Sequence, residues 1–181
     1  MFEHRAAALL AAIALAACGG QARGPEGTKL PDPIANASLL DTSGAQVGLA
    51  TFSEVGGEGQ MGISVSGLSP GRHGMHIHET GACTPPGFES AGSHFNPGSK
   101  KHGLENPEGP HAGDMPNLVV EADGSADTTV TVPASLLAQG PESMLGAQKH
   151  AFVIHADPDD QKTDPSGNSG SRVVCGVIEP R

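Results

Sequence analysis

Seven side chains of metal-binding type fall in two places in this chain. Residues 74–114 read GMHIHETGACTPPGFESAGSHFNPGSKKHGLENPEGPHAGD and contain His76, His78, His94, His102, His111 and Asp114; His155 follows much later. Imidazole nitrogen and carboxylate oxygen both suit zinc, and imidazole also suits copper. His76-Ile77-His78 is the sharpest local feature. On a strand, residues i and i+2 share a face, so the two imidazoles project together at a spacing suited to one ion. Alone, the pair is more simply two surface histidines on a solvated strand. His94, His102, His111 and Asp114 lie amid Gly, Pro and Asn, where no core role explains them. Three histidines and one carboxylate fill a tetrahedral zinc site with no open position. His76, His78 and His155 make a three-imidazole set suited to copper. His73 and His150 are left over, as surface groups or as groups behind the ligands.

The elements that must hold these residues read as strands. Apolar residues alternate with small or polar ones over 34–40, 45–52, 61–65, 73–79, 117–121, 128–132, 150–155 and 172–178, the period of half-buried strands. In 73–79, Met75 and Ile77 point one way and His76 and His78 the other. Turn chemistry separates the strands at 41–44, 69–71 and 123–124, and 117–132 reads as a hairpin. A short helical turn is expected within 133–149. The predicted fold is all-β, an eight-stranded antiparallel Greek-key barrel or sandwich. Two connections, 80–116 and 156–171, exceed the usual loop length of about 12–15 residues, which marks functional loops. Both follow strands that end on or beside a histidine.

Composition bounds the partners. The chain has 181 residues, enough for one domain. It lacks Trp and Tyr and has five Phe, so its core must be Val, Ile, Leu, Ala and Met. Ten Lys and Arg against 20 Asp and Glu give a formal net charge of -10, which argues against general nucleic-acid binding. An anionic substrate would need a local positive patch.

Residues 1–18 read as an export signal: Arg5 precedes an apolar run over 6–17 that is too short to span a bilayer. Leu15-Ala16-Ala17-Cys18 resembles a bacterial lipobox, in which Cys18 is lipidated and becomes the first mature residue; an ordinary signal cut near Ala17 is the other reading. Residues 19–33 are Gly- and Pro-rich and read as a flexible tether, leaving 34–181 as the domain. The mature chain is then exported, at the periplasmic or cell-surface face, held to a bacterial membrane through Cys18. Two distant cysteines remain, Cys83 and Cys175; in an exported chain they most simply form one disulfide, the alternative being a thiolate metal ligand.

The strings GMHIHE (74–79), SAGSHFNPGSKKHG (90–103), GPHAGDMPNL (109–118), AFVIHADPDD (151–160) and GNSGSRVVCGVIE (167–179) resemble copper/zinc superoxide dismutase, over about residue 34 to the C-terminus. The resemblance implies that His76, His78, His94 and His155 bind copper. It implies that His94, His102, His111 and Asp114 bind zinc, with His94 bridging the two ions. It pairs Cys83 with Cys175, places Arg172 beside the copper as a guide for superoxide, and makes Asp159 a carboxylate linking a copper histidine to a zinc histidine. The implied activity is dismutation of superoxide to dioxygen and hydrogen peroxide by one-electron cycling of copper, with a structural zinc. The spacing of Cys83 resembles the bacterial exported branch, and 157–171 is shorter than the eukaryotic steering loop, which leaves open which lysine assists. The alternative is a copper/zinc-binding module, a carrier or inactive relative, without dismutase activity. The sequence leaves open a homodimer.

Overall fold

The computed structural model describes residues 31–138, 140 and 143–181. The expected signal, Cys18 and nearly all of the tether lie outside the described residues.

Ten strands are present among the described residues: β1 (Ala35–Asp41), β2 (Gln46–Val55), β3 (Glu58–Val65), β4 (Gly71–His73), β5 (Met75–His78), β6 (Leu118–Val120), β7 (Ala126–Val132), β8 (Ala151–His155), β9 (Arg172–Val177) and β10 (Glu179–Pro180). The main sheet runs β5-β8-β9-β1-β2-β3-β7, with β10 on β1, and β4 pairs with β6. Every pairing is antiparallel. The fold is the expected all-β, antiparallel one, its eight-stranded main sheet curled into a half-barrel that is open between β5 and β7, with connections that cross between non-adjacent strands. One short helix, α1 (Ala134–Leu137), stands in the segment where a helical turn was expected.

Two local readings change. The strand expected over 73–79 is broken at Gly74, so β4 and β5 pair with different partners, β6 and β8. The expected hairpin over 117–132 does not form: β6 and β7 flank a turn but do not pair. The three residues of β6 pair with β4, and all seven residues of β7 pair with β3. The longer ladder wins because every buried backbone N–H and C=O needs a partner.

Strand alternation sorts the sheet into two faces. Leu39, Phe52, Met61, Ile63, Met75, Ile77, Phe152 and Ile154 point inward, all at 0–1% exposure, and form the main core. On β5 and β8, His76 is opposite Val153 and His78 is opposite Ala151, so these four side chains share the other, outward face. That face is buried too. A smaller core of Phe88, Ala91, Ala151, Val153 and Cys175 covers part of it, with Cys83 packed alongside. The two long connections therefore act as lids over the outer face of β5, β8 and β9.

Candidate metal centre

The first long connection folds back along the free edge of β5. Phe95 N–H donates to the Ile77 carbonyl (2.9 Å), Ile77 N–H to the Gly113 carbonyl (2.9 Å) and Gly113 N–H to the Phe95 carbonyl (2.9 Å). These bonds set His94 opposite His78 and Asp114 opposite His76. Gly113 is required for this approach, since a Cβ there would lie 2.3 Å from the Ile77 carbonyl oxygen. His155 arrives from the end of β8, where the register shifts between Ile154 and His155.

His76, His78, His94 and His155 are all buried and offer ligand atoms within 4.8 Å of one another. Three of them have one nitrogen tied. His76 Nε2 meets Asp159 Oδ2 at 2.8 Å, His78 Nδ1 meets the Gly92 carbonyl at 2.9 Å, and His155 Nδ1 meets the Gly170 carbonyl at 3.1 Å. The remaining atoms, His76 Nδ1, His78 Nε2, His94 Nε2 and His155 Nε2, are buried without a hydrogen-bond partner. Buried polar atoms are nearly always satisfied. Four orphaned imidazole nitrogens brought together in one place fit a metal ion, and an all-nitrogen set suits copper.

A second set adjoins the first through His94. Asp114 Oδ1 lies 3.0 Å from His94 Nδ1, 3.1 Å from His102 Nδ1 and 3.2 Å from His111 Nδ1. Asp114 Oδ2 accepts the Gly103 and His111 N–H groups (2.8 and 2.9 Å), which turns Oδ1 toward the histidines. In a tetrahedral zinc site with bonds of about 2.0–2.1 Å, neighbouring ligand atoms stand about 3.3 Å apart, so the spacing fits zinc. His76 also lies within reach of His94, His102 and Asp114. Its Nε2 is committed to Asp159 and its orphaned Nδ1 belongs to the first set, so His111 is the better fourth member here.

Asp159 joins the sets from behind: Oδ2 meets His76, and Oδ1 meets His102 Nε2 at 3.0 Å. Its backbone is clamped by Asn117, whose Oδ1 accepts Asp159 N–H (2.7 Å) and whose Nδ2 donates to its carbonyl (2.8 Å). Sequence reasoning missed Asn117, although it lies in the string 109–118. Arg172 donates from Nη1 to the Phe88 carbonyl and from Nη2 to the Gly92 carbonyl, both at 2.6 Å. The latter carbonyl also receives His78 Nδ1. Cys83 and Cys175 form a disulfide with Cα atoms 5.6 Å apart, so neither is a thiolate ligand.

His73 and His150 are buried, at 2% and 4% exposure, rather than on the surface. His73 Nδ1 meets the His155 carbonyl at 2.7 Å, behind that residue, and His150 packs on Phe95. Lys162 forms an exposed 2.8 Å pair with Glu105, and Lys101 pairs with Asp164 at 3.2 Å. Exposed pairs of this kind contribute little to stability, but each lysine's charge is largely offset by its partner.

Residues 46–178 match the family model described as copper/zinc superoxide dismutase. The chain belongs to this family. It is 46% identical over 149 residues to "Superoxide dismutase [Cu-Zn] 2" of Aquifex aeolicus, covering 81% of this chain and 87% of the relative. It is 40% identical over 181 residues to the "Superoxide dismutase-like protein YojM" of Bacillus subtilis, covering 94% and 92%. A crystal structure of a SOD-like protein from Bacillus subtilis superposes with a TM-score of 0.75 at 42% identity, over 78% of this chain and 96% of that one. Superoxide dismutases named in this way are oxidoreductases acting on superoxide, and family membership implies copper and zinc.

Electrostatics of this candidate centre give a pH prediction. Burial is the largest cause that lowers His76 to about 4, His78 to about 2 and His155 to about 3, from 6.5. Burial also opposes the charge on His102, but hydrogen bonds to Asp114 and Asp159 outweigh it and raise that histidine to about 9. The three lowered imidazoles stabilise the metal-free protein above 6.5, the unfolded value. Each loses up to about 1.4 kcal/mol per pH unit as pH falls toward its folded value. His102 contributes below 6.5, and its contribution is lost as pH rises through 9. The urea midpoint of chelator-treated protein should therefore peak near pH 6.5 and fall on both sides, more steeply on the acid side. A midpoint that stays flat from 6.5 to 4.5 contradicts this.

Proposed function

We propose that the chain is an exported superoxide dismutase that holds copper through His76, His78, His94 and His155 and zinc through His94, His102, His111 and Asp114. The observation that carries this reading is the group of four buried, unpartnered imidazole nitrogens. Copper bound there would supply one-electron exchange with superoxide, and zinc, which has no redox chemistry, would shape and polarise the site.

The chain's own groups have distinct tasks. The guanidinium of Arg172 is permanently charged and offers a fork of donors suited to a small anion; its two carbonyl contacts fix where that charge stands. His94 presents Nε2 to one set and Nδ1 to the other. It can therefore bridge the ions, and Nε2 is the atom at which it would take up and release a proton. Asp159 orients His76 and His102 from one carboxylate, as carboxylates behind metal-binding histidines do. Overall, two superoxide anions and two protons give one dioxygen and one hydrogen peroxide.

The test is the dismutation rate of the chain loaded with copper and zinc. A fast rate that persists when a chelator silences free copper, and that falls as salt rises, supports the enzyme and attraction by a local positive charge. A rate abolished by that chelator, with both ions verified to remain in place, supports a metal-holding module instead. The Bacillus subtilis relative, named only superoxide dismutase-like, motivates that second reading.

Export and anchoring belong to the same proposal: 1–18 as signal, lipidated Cys18, 19–33 as tether and 34–181 as the catalytic domain. The disulfide is consistent with an oxidising compartment. Expressed in a bacterium that processes lipoproteins, the chain should incorporate labelled palmitate and sediment with membranes. Cys18→Ser should abolish the label, and retention of label in that variant would remove Cys18 as the anchor.

A further inference from the structure

Among the histidines assigned to the two sets, nearly all have a clear means of fixing the ring. His76 and His102 turn their outer nitrogens to Asp159, His78 to the Gly92 carbonyl and His155 to the Gly170 carbonyl. His94 faces a set with each nitrogen. His111 is the exception. Its Nδ1 faces Asp114 Oδ1, while its Nε2 makes no hydrogen bond among the described residues. The carboxylate of Asp164 stands opposite that Nε2, with Oδ1 3.9 Å away.

Asp164 lies between the matched strings 151–160 and 167–179 and belongs to neither. It comes from the second long connection and reaches back across the sequence to the first. Besides facing His111, its Oδ1 accepts the His102 N–H at 2.8 Å, and its Oδ2 accepts from Lys101 Nζ at 3.2 Å. His102 is thus held twice by the same connection, at its ring by Asp159 and at its backbone by Asp164.

We propose that Asp164 is a positioning residue for the zinc set, acting on His111 and His102 without touching the ion; this rests on the zinc reading given above. A histidine that binds a metal through one nitrogen needs its proton on the other, and a carboxylate near that second nitrogen fixes the tautomer and the ring orientation. A separation of 3.9 Å exceeds a direct hydrogen bond, so the contact with His111 is Coulombic. It draws the proton to Nε2 and leaves the lone pair on Nδ1, where the set requires it. The bond to His102 N–H fixes the backbone from which a second ligand projects. Lys101 holds the other oxygen and so limits rotation of the carboxylate.

The test measures zinc affinity by chelator competition, with zinc alone as the probe, in the wild-type chain and in Asp164→Asn, Asp164→Ala and Asp164→Glu. Copper affinity and the thermal midpoint of the metal-free protein are measured beside it. Asn keeps an acceptor for His102 N–H and removes only the charge, whereas Ala removes both. Zinc affinity is expected to fall about 10- to 100-fold in the Asn and Ala variants, with the greater loss for Ala and recovery in Glu. Copper affinity and the metal-free midpoint should change little. Wild-type zinc affinity in Asp164→Asn overturns the proposal. So does a parallel loss of zinc affinity, copper affinity and thermal midpoint in all three variants, which would mark a merely structural residue. A wild-type chain that binds no zinc overturns the zinc reading itself and the proposal with it, and is told apart by that first measurement.

Discussion

Removing the Cys83–Cys175 bridge, by Cys83→Ser with Cys175→Ser, is expected to lower the stability of the chain by about 4–5 kcal/mol. The two cysteines are 92 residues apart, and closing a loop of that length restricts the unfolded chain by about this amount in the chain-entropy model. The native state should change as well. The bridge pins the segment that carries Phe88 and Ala91 onto β8 and β9, where it forms the smaller core. Phe88 in turn supplies a carbonyl to Arg172. Denaturation in urea, comparing the double variant with the oxidised chain, measures the first effect through the midpoint. An unchanged midpoint would show that packing alone holds the segment. The dismutation rate of the metal-loaded variant measures the second effect, and it should fall with the loss of a fixed Arg172.

Arg172→Ile should leave both metal sets occupied and slow superoxide turnover by about 10- to 100-fold, within the roughly 10- to 1,000-fold by which a charged cleft alters the capture of a charged substrate. Lys101 and Lys162 offer little compensation, because each is paired with a carboxylate. Arg172→Lys separates two contributions. It keeps the charge but has no planar fork to engage the Phe88 and Gly92 carbonyls together, so its rate should lie between those of wild type and Arg172→Ile. Rates at low ionic strength, with metal content verified for each variant, decide the matter. Equal rates for all three would leave Arg172 as a tether for the 88–92 backbone and nothing more.

Much of this centre could be read from residue types. His76 and His78 share a face because strand geometry has a period of two, and their neighbours Met75 and Ile77 define the opposite face by being apolar. The loop histidines were legible because nothing in a polar, Gly- and Pro-rich stretch needs imidazole for packing. The strand boundaries were less legible. Gly74 looks like one more small residue in an alternating run, and only the pairing partners of β4 and β5 show that the strand breaks there. The hairpin over 117–132 failed for a similar reason: turn residues report where the chain reverses, not which ladder the next strand joins. His73 and His150 carry no periodic signal that distinguishes a buried position from an exposed one. Asn117 and Asp164 act through contacts 42 or more residues away in sequence, and no local pattern encodes such a distance.

The Gly92 carbonyl is shared, accepting from both His78 Nδ1 and Arg172 Nη2. In the function proposed above, a ring that would hold an ion and a guanidinium that would guide an anion are thus referenced to one oxygen atom. When thermal motion displaces the 88–92 backbone, both side chains receive the same input, and the offset between them varies less than either position does alone. The arrangement rejects common-mode error. It also predicts that correlated, rather than independent, fluctuations of His78 and Arg172 would be observed by any method that resolves their motion.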